Sequence, residues 1–162
     1  MKLIHAATDA FQFEISADEK GLLFQLLQLY PLVPATHYRL SKDRQISNRE
    51  ENQLLLDETL SSQRLANRQQ VEAMLNEPKR FATCAAGYQV SFRRGEMEWL
   101  LQVFNDVRLG SWIALGSPDH QEEMRQRRKP QAARHLLIMD LTAFFETAFL
   151  DALSGEIPPG HE

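Results

Sequence analysis

The sequence predicts a mostly helical α+β fold, with four main helices and a small three-stranded antiparallel sheet. Four tracts repeat apolar residues at helical spacing between capping and breaking residues, while three short tracts alternate apolar with polar residues at strand period. A chain of 162 residues, 43% hydrophobic and 25% charged, is long enough to bury one core. Residues 1–155 are therefore expected to form a single helical domain with an N-terminal β-hairpin, and 156–162 a flexible tail.

The hairpin occupies 3–15, where Phe11, Phe13 and Ile15 alternate with Gln12 and Glu14, and Thr8 and Asp9 supply the turn. Ser16, with Glu19 three residues later, is a reciprocal capping pair; Leu22, Leu23, Leu26 and Leu27 continue it as a first helix ending before Pro31. A connecting loop follows over 31–47, with Tyr38 and Leu40 packing inward. The second helix starts at Ser47 or Asn48, with Glu50 and Glu51 as cap partners, and runs to Asn76 before Pro78. A break is expected near Asn67, where its apolar positions drift round the axis.

Tyr88, Val90 and Phe92, after the breaker Gly87, form the third strand. The third helix spans 95–115, from Glu96 through Trp99, Val103, Val107 and Trp112 to Leu115, and Gly116 and Pro118 stop it. Residues 116–130 read as a polar, basic, mobile loop. A fourth helix follows Pro130 and reaches Ser154, with Gly155 as its terminator.

Eighteen Lys and Arg against 22 Asp and Glu leave a net charge of −4, spread evenly along the chain. The basic surplus that phosphate neutralisation requires is missing, so nucleic acid is not an expected partner. The lone Cys84 forms no bridge within the chain, as in a cytoplasmic protein. The apolar start at Leu3 stops at Thr8 and Asp9, too soon for a secretory signal. Of the most apolar segments, 22–33 contains Pro31, and 136–153 is interrupted by Asp140, Glu146 and Asp151, so neither is expected to span a membrane. The expected location is the cytoplasm.

Polar residues stand where the helical pattern calls for apolar ones. On the third helix Arg108 falls among Met97, Leu101 and Leu115, and Asn105 and Asp106 border the apolar sector. On the fourth, Asp140, Thr147, Asp151 and Ser154 share a solvent stripe, while Glu146 sits with Met139, Leu150 and Leu153. A buried guanidinium keeps its proton and needs acceptors, so Arg108 is expected to be buried and paired with Glu146. One reading makes this pair a device fixing helix register, with Asn105 or Asp106 satisfying backbone ends. The other joins Asn105, Asp106, Arg108 and Glu146 into a polar pocket for a small anion or a partner's terminus.

The run Asn105-Asp106-Val107-Arg108-Leu109, preceded by Trp99-Leu100-Leu101 and followed by Gly110, resembles a bacterial family defined only as a domain of unknown function. The strand at 88–92 and the Leu-rich helix over 135–153 extend the resemblance through the second half of the chain. The resemblance implies a mostly helical cytoplasmic protein, encoded in some bacteria close to an adaptor of the Clp protease. It implies no catalytic residues.

The five histidines, at 5, 37, 120, 135 and 161, match no metal-ligand spacing, and His120 with Glu122 and Glu123 reads as solvated; no metal and no cofactor are expected. Gly87, Gly95, Gly110 and Gly116 form no phosphate loop, and Cys84 has no neighbouring His to activate it. The basic cluster Arg125, Arg127, Arg128 and Lys129 lacks interleaved aromatics for base stacking.

Two functions remain. The first is a non-enzymatic helical protein-interaction domain, adaptor or regulatory, that self-associates or docks on a protein through apolar surface of its second or fourth helix. Ten of the residues in 136–153 are Leu, Ile, Met or Phe, more than one neighbour covers, which makes Phe145 and Phe149 the expected anchors of a dimer. The competing arrangement puts the fourth helix at the centre of the monomer's core. The second function is a small ligand-binding domain or enzyme that uses Asn105, Asp106, Arg108 and Glu146.

Overall fold

A computed structural model describes residues 1–37 and 49–155. The strands β1 (Lys2–Ala6), β2 (Ala10–Ile15), β3 (Phe81–Cys84) and β4 (Gly87–Arg93) form an antiparallel sheet in the order β1-β2-β4-β3. Alternation decides its two faces. Phe11 opposite Phe92 and Phe13 opposite Val90 turn inward with Ile15, whereas Gln12 and Glu14 stand on the polar side, where Gln12 Nε2 donates to Gln89 Oε1 at 3.3 Å.

The helices are α1 (Ala17–Gln28), α2 (Arg49–Leu75), α3 (Arg94–Ala114), α4 (His120–Gln126) and α5 (Ala133–Ser154). Ser16 caps α1 as its spacing requires: Glu19 N donates to Ser16 Oγ at 3.1 Å, and Ser16 N donates to Glu19 Oε2 at 2.8 Å. The N-terminal ammonium of Met1 pairs with the same Glu19. Burial pushes the Glu19 carboxyl up, but hydrogen bonds from that ammonium and from Ser16 outweigh it and hold it below its usual range.

The sheet's apolar face, α1, α3 and α5 enclose one cluster of buried side chains. Phe149 is its centre. Its ring centroid lies 5.2 Å from that of Phe92, 5.7 Å from Phe13 and 5.9 Å from Phe104, which also stacks on Phe145 at 5.9 Å. The fourth helix of the sequence is thus α5, central to the monomer's core. Phe145 and Phe149, expected as dimer anchors, are both 0% exposed, so neither ring is presented to a partner.

Among the described residues, five α-helices and four strands stand in place of the expected four and three. The additional strand is β3, which has no counterpart among the expected elements; β4 supplies its partners. The additional helix is α4, inside the expected 116–130 loop, opened by Asp119, whose Oδ1 accepts from Glu122 N at 2.8 Å. No break interrupts α2 at Asn67. Tyr38, Leu40, the Ser47 or Asn48 cap and the 156–162 tail lie outside the described residues.

Candidate functional site

Helix α3 carries the run Asn105–Gly110, and its turn angle sends these residues in different directions. Asp106 faces the chain that leaves α1. Its Oδ1 accepts from Leu32 N at 2.6 Å and Val33 N at 3.1 Å, donors that the irregular backbone around Pro31 and Pro34 leaves without helical or sheet partners. Arg64 of α2 closes the clamp: its Nη2 donates to Val33 O at 2.8 Å and lies 3.9 Å from Asp106 Oδ2. One turn on, Gly110 admits Leu32. A Cβ there would stand 2.6 Å from the Leu32 carbonyl carbon and 2.8 Å from its Cβ.

Arg108 points to α5 instead. Its Nη1 donates to Glu146 Oε2 at 3.2 Å, so the pairing read from sequence is present. The expected burial of Arg108 is not: its side chain is 51% exposed, against 12% for Glu146. The long arginine stem lets its head reach water while still touching the carboxylate. Burial raises the Glu146 carboxyl above its usual range, and Arg108 only partly offsets this.

The four residues therefore do not make one pocket. Asn105 and Asp106 line a cleft of about 140 Å³ with Arg64, Asn67 and Gln102, whereas Arg108 and Glu146 meet on the side of α3 that faces α5. That volume falls below the roughly 300 Å³ at which small-molecule sites begin. Beside the cleft, Asn67 Nδ2 donates to Tyr30 Oη at 3.1 Å and Asn67 Oδ1 accepts from Trp99 Nε1 at 3.1 Å. The network ties the segment that follows α1 to α2 and α3.

The basic cluster is largely neutralised from within. Arg127 makes a two-pronged contact with Asp140, 2.9 Å on each oxygen, and a further one with Glu123 at 3.0 Å; Arg125 and Lys129 approach Glu122 at 3.6 and 3.7 Å. Among the described residues, no group of three or more His, Cys, Asp or Glu is placed to hold a metal ion. No helix among them is long and apolar enough to cross a membrane. Cys84 is half-buried at the end of β3.

The apolar surface expected on the second helix is present, and the structure assigns it to particular residues. Leu54, Leu55 and Leu65 on α2 are 63%, 61% and 59% exposed. Three adjacent leucines, 54–56, cannot share one face of a helix, a signal that was present in the sequence. A groove of about 360 Å³ runs between α1 and α5, walled by Leu22, Leu29, Leu137 and Leu141. Compared with protein families, curated proteins and solved structures, the chain matches none.

Proposed function

We propose that the chain is a non-enzymatic protein-interaction domain, adaptor or regulatory, whose contact surface is the first two-thirds of α2. The exposed leucines of that helix carry the reading. The helix has 27 residues and is about 40 Å long, yet its buried residues, Val71 and Met74, lie near its end. An apolar, unburied helix surface of this kind is a site for another protein. Under this reading the protein works in the bacterial cytoplasm, the setting that the Asn105–Gly110 resemblance implies.

The test is co-purification from native cells with the full chain, wild type against Leu54→Glu/Leu65→Glu, after circular dichroism has established equal helicity. Loss of apolar anchors should lower recovery of a stoichiometric partner by roughly tenfold or more. Equal recovery of every co-purifying protein by the two chains overturns the reading.

A further inference from the structure

The groove between α1 and α5 and the first two-thirds of α2 have complementary chemistry, and this deepens the interaction reading above, on which it rests. The groove's walls are leucines: Leu22 and Leu29 from α1, Leu137 and Leu141 from α5. Its charged residue is Arg134, exposed and without an ion pair among the described residues. Arg134 stands in the first turn of α5, where the helix dipole adds positive potential. An apolar trough with a cationic end fits an amphipathic helix that carries leucines flanked by carboxylates.

The first two-thirds of α2 is such a helix. Leu54 and Leu65 are eleven positions apart, close to three full turns, so they lie along one side. Glu51 and Glu58 flank that line, exposed and without ion pairs among the described residues. The α2 of the same chain is already committed elsewhere: its Val71 and Leu75 face Phe24, Leu27 and Tyr30, on the side of α1 away from Leu22 and Leu29. The helix that fills the groove must come from a second molecule.

We propose that two copies of this chain form a reciprocal dimer in which α2 of each lies in the α1/α5 groove of the other. A two-fold arrangement satisfies both grooves and both apolar faces at once, and leaves neither surface free for further growth. The contact brings Arg134 of one copy to the Glu51 and Glu58 side of the other.

Sedimentation equilibrium of the full chain at micromolar concentration tests this. The wild type should show twice the 18.7 kDa chain mass. Leu137→Glu in the groove and Leu54→Glu on α2, both at exposed positions and both checked by circular dichroism, should each weaken association at least about tenfold. An equimolar mixture of the two variants should partly recover it, because one of the two contacts is then intact. Arg134→Glu should weaken the dimer, and adding Glu58→Arg in the same chain should restore it. A monomeric wild type overturns the proposal, as does a dimer indifferent to Leu137→Glu. A monomeric wild type that still recovers a partner sensitive to the Leu54→Glu/Leu65→Glu change leaves the interaction reading standing and removes only the dimer; loss of both removes both.

Discussion

Arg108 and Glu146 share one hydrogen bond of 3.2 Å but not one environment, the guanidinium side chain being 51% exposed and the carboxylate side chain 12%. Removing the exposed partner leaves a carboxylate that water can partly reach. Arg108→Ala should therefore cost about 1 kcal/mol, well short of the roughly 3–5 kcal/mol of a fully enclosed pair. Urea titration measures it, and a loss above 3 kcal/mol would mean that the guanidinium is enclosed after all.

The same pair sets a pH dependence. Burial raises the Glu146 carboxyl, so the folded state holds that proton more tightly than the unfolded chain does. Its contribution to stability falls as pH rises through the ordinary glutamate range and levels off above the raised folded value. Glu146→Gln should thus be more favourable relative to wild type at pH 7 than at pH 4. The opposite ranking of the two melting-temperature differences would show a net favourable carboxylate.

Glu96 behaves with the reverse sign. Burial pushes it up, but hydrogen bonds from Arg80, at 2.7 and 3.3 Å, and from Arg93 N, at 2.8 Å, outweigh this and lower it. Its stabilisation is present above the ordinary glutamate range and is lost as pH falls through the lowered folded value. Glu96→Gln can still cap α3 yet loses the ion pair, so it should destabilise at pH 7 by on the order of 1 kcal/mol and much less at pH 3. A penalty independent of pH would show that the ion pair contributes nothing and that glutamine caps α3 less well than glutamate.

Glycine substitutions separate propensity from packing. Gly21, inside α1, has nothing within 4 Å of an added Cβ, so Gly21→Ala should stabilise by up to about 1 kcal/mol. Gly110→Ala gains the same propensity but drives a Cβ into Leu32, and should destabilise by about 1–3 kcal/mol. Denaturation midpoints of the two variants should move in opposite directions; movement in the same direction would show that the 30–34 segment yields easily.

Asp106→Ala leaves two backbone donors, Leu32 N and Val33 N, without their acceptor. A cost of about 2 kcal/mol or more is expected, with faster amide exchange at those two positions. Unchanged exchange there, measured by NMR, would contradict the clamp.

What could be read in the sequence was what local rules encode. Ser16 and Glu19, the alternation of β2 and β4, and the Gly155 terminator each depend on residues within one turn or one strand. Strand β3 was hidden because Phe81–Cys84 is a short edge strand whose identity comes from pairing with β4. The short α4 has no buried residue and so no apolar stripe, although Asp119 and Glu122 did offer a cap. The circumference of α5 looked too apolar for a monomer because the sheet and α3 that cover it come from elsewhere in the chain. The partnership of Arg108 with Glu146 was legible from two helical wheels, as was a role for Asp106 in satisfying backbone groups, whereas its partners at 32 and 33 were not, since they lie in an irregular segment with no period to read.

The position of Phe149 has a consequence for synthesis on the ribosome. Its contacts Phe13 and Phe92 belong to strands made much earlier, and helix α5 is the last element of the described fold to leave the exit tunnel. Until it arrives, the sheet's aromatic face has only α1 and α3 to cover it and lacks the contacts of Phe149. A chain interrupted before residue 133 lacks the ring around which the aromatic cluster assembles and keeps apolar surface uncovered, the condition under which partly folded chains aggregate.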